Sequence, residues 1–74
     1  MSELRVIDHT GDSKLVWDAD KDAEVQAARE MYDGLKKKGY AAFGVKKDGE
    51  KGKILTEFDP EAEKIIMVPP ARGG

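Results

Sequence analysis

Lys64-Ile65-Ile66-Met67-Val68-Pro69-Pro70-Ala71-Arg72-Gly73-Gly74 is the stretch that decides the fold. Four consecutive apolar residues, Ile65 to Val68, fit a strand buried on both faces, as a central strand is, rather than the half-wet alternation of an exposed sheet. Pro69 and Pro70 then stop it, because proline holds φ near the extended or polyproline region and offers no N–H to a ladder. Gly73 and Gly74 leave the main chain without any Cβ, thin enough to enter a narrow slot. A central last strand belongs beside the first strand, so this ending predicts a sheet wrapped around whatever the middle of the chain forms.

The middle forms a helix. Val25, Ala28, Tyr32 and Leu35 recur at three- and four-residue spacing with Met31 beside them, while Glu24, Arg29, Glu30 and Lys36 fall mostly on other faces, which predicts one amphipathic helix of about four to five turns. Asp18 to Asp22 supply candidate N-cap oxygens and negative charge where the helix dipole favours it. Gly39 is placed to end the helix in the left-handed conformation, and Gly34 weakens the last turn by roughly 1 kcal/mol.

On either side the pattern is that of strands. Leu4 to Ile7 and Lys14 to Trp17 flank the turn-rich Asp8-His9-Thr10-Gly11-Asp12-Ser13 and predict a hairpin. After the helix, Ala41, Phe43 and Val45 alternate with Ala42, Gly44 and Lys46, and Ile54, Thr56 and Phe58 make a second alternating run. Asp48 to Gly52 and Asp59-Pro60-Glu61 are turn chemistry. Read along the chain, the part after the helix is a three-strand meander. The order ββαβββ predicts an α+β domain over residues 1–68, with a mostly antiparallel sheet, one helix on one face, and a flexible tail at 69–74.

The predicted core is Leu4, Val6, Leu15, Trp17, Val25, Ala28, Tyr32, Leu35, Phe43, Val45, Ile54, Phe58, Ile65 and Met67. One helix covers one sheet face, so alternation assigns Ile7, Val16, Leu55, Ile66 and Val68 to the other, where together they would form a partner-binding surface. Trp17 is read as core with its indole N–H at an edge.

This element order, at this length, with this ending, resembles the ubiquitin-like β-grasp proteins. Residues 65–74 are similar to the end of β-grasp sulfur carriers such as the small subunit of molybdopterin synthase, where an apolar strand runs into Pro-Pro, two variable residues and Gly-Gly, and Arg72-Gly73-Gly74 resembles the end of ubiquitin. The resemblance implies a β-grasp fold and a carrier or modifier that is not itself an enzyme. A partner enzyme would adenylate the Gly74 carboxylate and pass it to sulfur or to a lysine, with Gly73 as the slender neighbour and Pro69, Pro70 and Arg72 as the lead-in. A different class competes: a non-covalent adaptor or inhibitor using the open sheet face or the acidic helix start.

Composition narrows the alternatives. Thirteen Lys and Arg against fifteen Asp and Glu give a net charge of −2, a poor footprint for nucleic acid. Lys36-Lys37-Lys38 is read as a last helical turn favoured by the dipole, and Lys46-Lys47 as a solvated strand end. With no cysteine there is neither a disulfide nor a thiolate metal site. No signal-peptide pattern or membrane-length apolar run is read, so the expectation is a cytoplasmic protein, a monomer or weak dimer, that binds a protein partner and no cofactor or metal. His9, with Asp8 and Asp12 near in sequence, has no partner nucleophile and is read with Thr10 and Ser13 as turn-forming. Asp18-Ala19-Asp20-Lys21-Asp22 lacks the glycine and glutamate of a helix-loop-helix calcium site, and Gly49 and Gly52 lack the context of a phosphate loop.

Overall fold

The computed structural model describes residues 1–8, 11–46 and 52–70. His9, Thr10, residues 47–51, where a turn was expected, and residues 71–74 of the expected tail lie outside them. The elements are β1 (Ser2–Val6), β2 (Ser13–Trp17), α1 (Asp22–Lys37), β3 (Ala41–Val45), β4 (Lys53–Ile54) and β5 (Lys64–Val68). This is an α+β arrangement of one helix and a five-stranded mixed sheet.

The sheet runs β2-β1-β5-β3-β4. β5 is central as expected, though not buried on both faces, since one helix covers one face only and Ile66 and Val68 are half-buried on the other: it pairs parallel with β1 (Leu4 opposite Ile65, Val6 opposite Met67) and antiparallel with β3 (Ala42 opposite Met67, Gly44 opposite Ile65). The remaining pairs, β1 with β2 and β3 with β4, are antiparallel. The expected meander is therefore wrong, because β5 leaves β4 and inserts between β1 and β3. The physical reason is burial. β5 places Ile65 and Met67 in the core with none of their surface exposed, whereas both residues of the two-residue β4 are exposed and suit an edge.

Helix α1 lies over the face that carries Leu4, Val6, Trp17, Ala42, Ile65 and Met67, and buries Ala28 and Tyr32 against it. Ala62, in the link to β5, completes the buried set, a position no periodicity marks. Phe58 packs with Trp17 at 5.3 Å between ring centroids and with Tyr32 at 5.7 Å, the second edge-on, both in the range aromatic pairs favour. The Trp17 indole N–H donates to the Pro60 carbonyl at 3.2 Å, so this fully buried ring keeps its one polar atom satisfied.

Two local expectations about the helix separate. The N-cap is Lys21, in an extended conformation and with no side-chain cap. The acidic oxygens serve the preceding turn instead: Asp18 Oδ1 accepts from the Asp20 N–H at 2.9 Å, and Glu24 Oε1 from the Asp18 N–H at 2.9 Å. At the other end Gly39 has φ +93° and closes the helix as expected. Tyr40 N–H donates to Leu35 O at 3.1 Å and Gly39 N–H to Lys36 O at 2.9 Å, the paired bonds of a Schellman turn.

Candidate functional site

The root of the tail is built by β5 and the end of α1. After Val68 the chain passes through the half-buried Pro69 to Pro70, whose ring lies against Gly39: a Cβ on Gly39 would sit 3.6 Å from both Cβ and Cγ of Pro70. The chain thus leaves the sheet beside the closing turn of the helix. That turn carries Lys36, Lys37 and Lys38, the last two exposed.

The second candidate surface is the sheet face away from α1, and here the sequence reading needs correction. Phe43, Val45 and Ile54 were expected inside and Leu55 outside; the structure has them the other way. Ala42 and Gly44 are buried, Phe43 and Val45 half-buried, and Ile54 is 73% exposed. Leu55 continues the ladder past β4, its N–H donating to Ala42 O at 2.8 Å, and its side chain packs on the core face above Gly44. Alternation fixes which residues share a face but not which face is covered. The bulk of Tyr32, Phe58 and Leu55 already fills the space between β3 and the helix, so the small residues of β3 face inward. Phe58 is core as expected, but from the irregular segment that follows β4 and not from the face carrying Ile54.

The open face therefore has a continuous row across the sheet. Ile54 is opposite Phe43, Phe43 opposite Ile66, Ile66 beside Arg5, and Arg5 opposite Lys14. Val68 and Ile7 flank the row on one side and Val16, 41% exposed, on the other. Four of the five residues first assigned to this surface (Ile7, Val16, Ile66 and Val68) lie on it, while Phe43 and Ile54 were missed. The signal that could have found them is the mismatch between bulky Phe43 and a core side already supplied with aromatics. Arg5 Nη2 donates to Glu3 Oε2 at 3.3 Å, while its buried Nε has no hydrogen-bond partner among the described residues.

Elsewhere a shallow groove of about 360 Å³ runs between α1 and the segment after β4, lined by Arg29, Tyr32, Asp33, Lys36, Thr56, Glu57 and Phe58. The Arg29 guanidinium lies 5.8 Å from the Phe58 ring centroid. Burial, and then the Asp33 and Glu57 carboxylates, raise the Tyr32 phenol above its ordinary value. Among the described residues no group of three or more acidic, histidine or cysteine side chains is placed to hold a metal ion, and no helix is long and apolar enough to cross a membrane.

No protein-family model matches the chain, and no curated protein or solved structure matches it either.

Proposed function

We propose that the protein is a small carrier or modifier of the ubiquitin-like β-grasp kind, activated at the carboxylate of Gly74 by a partner enzyme. The observation that carries this reading is the exit of the chain. A central strand, parallel to the first, delivers Pro69 and the exposed Pro70 beside Gly39, and Ala71, Arg72 and two residues without side chains follow in the sequence. The parallel β1–β5 pair and the single helix across one sheet face support the β-grasp assignment.

The chemistry asks nothing catalytic of the domain. The Gly74 carboxylate attacks the α-phosphorus of a nucleoside triphosphate bound to the partner, and pyrophosphate leaves. A thiolate, sulfide or lysine amine then displaces the nucleotide monophosphate from the acyl carbon, giving a thioester, thiocarboxylate or amide. Intact-mass spectrometry of the protein recovered from its own host tests this directly. A sulfur-for-oxygen shift at Gly74, or the chain attached to lysine, supports it; an unmodified chain with no conjugates, and normal performance after removal of Gly73 and Gly74, overturns it.

A second reading is favoured by the open sheet face. Exposed Ile54 adjoining Phe43 and Ile66 offers apolar contact, and the part-exposed Arg5 side chain offers positive charge, to a non-covalent protein partner. An adaptor of this kind would survive loss of Gly73 and Gly74 and lose its partner on substitution of Ile54 or Ile66.

A further inference from the structure

Among the described residues ion pairs join Arg5 to Glu3, Lys21 to Glu24 and Lys46 to Asp59. Lys36, Lys37 and Lys38 form none, although Asp33 stands three and four residues before the first two on the same helix, the spacing at which such pairs meet. The helix dipole accounts for cations in a last turn. It does not account for where these three consecutive lysines stand, two of them exposed, at the turn whose Gly39 carries the Pro70 ring.

From this juxtaposition we infer that the closing turn of α1 and the root of the tail form one docking surface for an acidic patch on a protein partner, the patch lying beside the slot that receives the tail. This rests on the carrier reading for its purpose but not for its test. The lysines supply long-range attraction and the Pro70–Gly39 contact fixes where the tail starts, so an acidic surface engaging the lysines brings the residues after Pro70 to a defined place. Charge on a rim of this kind acts mainly on encounter rate and orientation. Three lysines on a chain of net charge −2 are too few and too local for a nucleic-acid track, which favours a protein partner.

The test uses the full-length ¹⁵N-labelled protein, a blocked hexaglutamate peptide as the probe, and an oligothymidylate of equal charge as the competitor. The peptide is expected to shift the amides of Lys36 to Tyr40 and of Val68 before any others, with binding that weakens as salt rises. Lys37→Glu with Lys38→Glu should weaken it by about tenfold. Lys37→Gln with Lys38→Gln, which avoids placing negative charge at the helix end, should give a smaller loss at unchanged thermal stability. Shifts spread equally over Lys14, Lys21 and Lys64, no response to either double substitution, or tighter binding of the oligothymidylate overturns the inference. Because Gly74 takes no part, such a failure is distinct from an unmodified Gly74 in the mass spectrum, which overturns the carrier reading alone.

Discussion

Leu55 closes over the bare Cα of Gly44: a Cβ built on Gly44 would lie 2.9 Å from Leu55 Cδ1 and 3.1 Å from its Cγ and Cδ2. Real Cβ atoms do not approach other carbons that closely, so the absence of a side chain at Gly44 is what lets Leu55 cover β3 on the core side. The same contact sets the parity of β3 and so puts Phe43 on the open face.

Gly44→Ala should therefore destabilise the fold by about 1–3 kcal/mol through overpacking. In a Leu55→Ala background most of that cost should vanish, since the clashing atoms are gone and the two sites touch. Urea unfolding of the four chains of this double-mutant cycle measures the coupling. Additive costs would show that Leu55 does not sit where the inward parity of β3 needs it.

Gly39 and Gly34 should respond in opposite directions to the same substitution. Gly39 has φ +93°, a region unfavourable to any side chain, although a Cβ there meets Pro70 only at ordinary contact distance. Gly39→Ala is expected to cost about 1–2 kcal/mol from backbone strain. Gly34 lies within the helix with nothing near its missing Cβ, so Gly34→Ala should stabilise by about 0.5–1 kcal/mol. Thermal unfolding of the two variants beside the parent decides; two changes of the same sign would remove the Schellman closure as the reason for glycine at position 39.

The sequence carried more of the architecture than of the surface. Helix α1 was legible because Val25, Ala28, Tyr32 and Leu35 share one stripe, and the central place of β5 because Ile65 to Val68 have no polar alternate. The inward face of β3 was not legible. Ala41-Ala42-Phe43-Gly44-Val45 offers two interleaved sets, and hydrophobicity favours the larger one, yet the available volume was already taken by side chains distant in sequence. Nor did turn residues reveal that β4 would be two residues long, which removed the expected meander. Of the candidate site, Ile7, Val16, Ile66 and Val68 followed from strand parity, whereas Ile54 and Phe43 depended on the pairing of β3 with β5, a long-range fact.

Ionisation of Tyr32 should weaken the fold at alkaline pH. Its phenol is neutral in both states at neutral pH, and in the folded chain burial, with Asp33 and Glu57 adding to it, raises its pKa above the ordinary value. The unfolded chain thus ionises first, at about pH 10. The stabilising difference is fully present below that pH and is lost as pH rises through the folded value. Tyr32→Phe should show a shallower loss of melting temperature across this range, after subtraction of the lysine titration that both chains share. Parallel profiles for the two chains would show that ionisation of Tyr32 is not linked to unfolding.

The open face makes the sharpest separation between residues that look alike in the sequence. Ile54 and Ile65 are both strand isoleucines, yet Ile54 is 73% exposed at the edge and Ile65 is wholly buried at the centre. Ile65→Ala should cost about 2–5 kcal/mol, the transfer cost plus the cavity it leaves. Ile54→Lys should change stability by no more than about 0.5 kcal/mol, because an exposed side chain has little burial to lose. An apolar edge residue also invites pairing with other chains, so the lysine should reduce self-association at high concentration. Chemical denaturation measures the first pair of effects and sedimentation velocity the second. If Ile54→Lys destabilised the chain as Ile65→Ala does, Ile54 would have to be buried, and the row from Ile54 through Phe43 to Ile66 would not be a surface available to a partner.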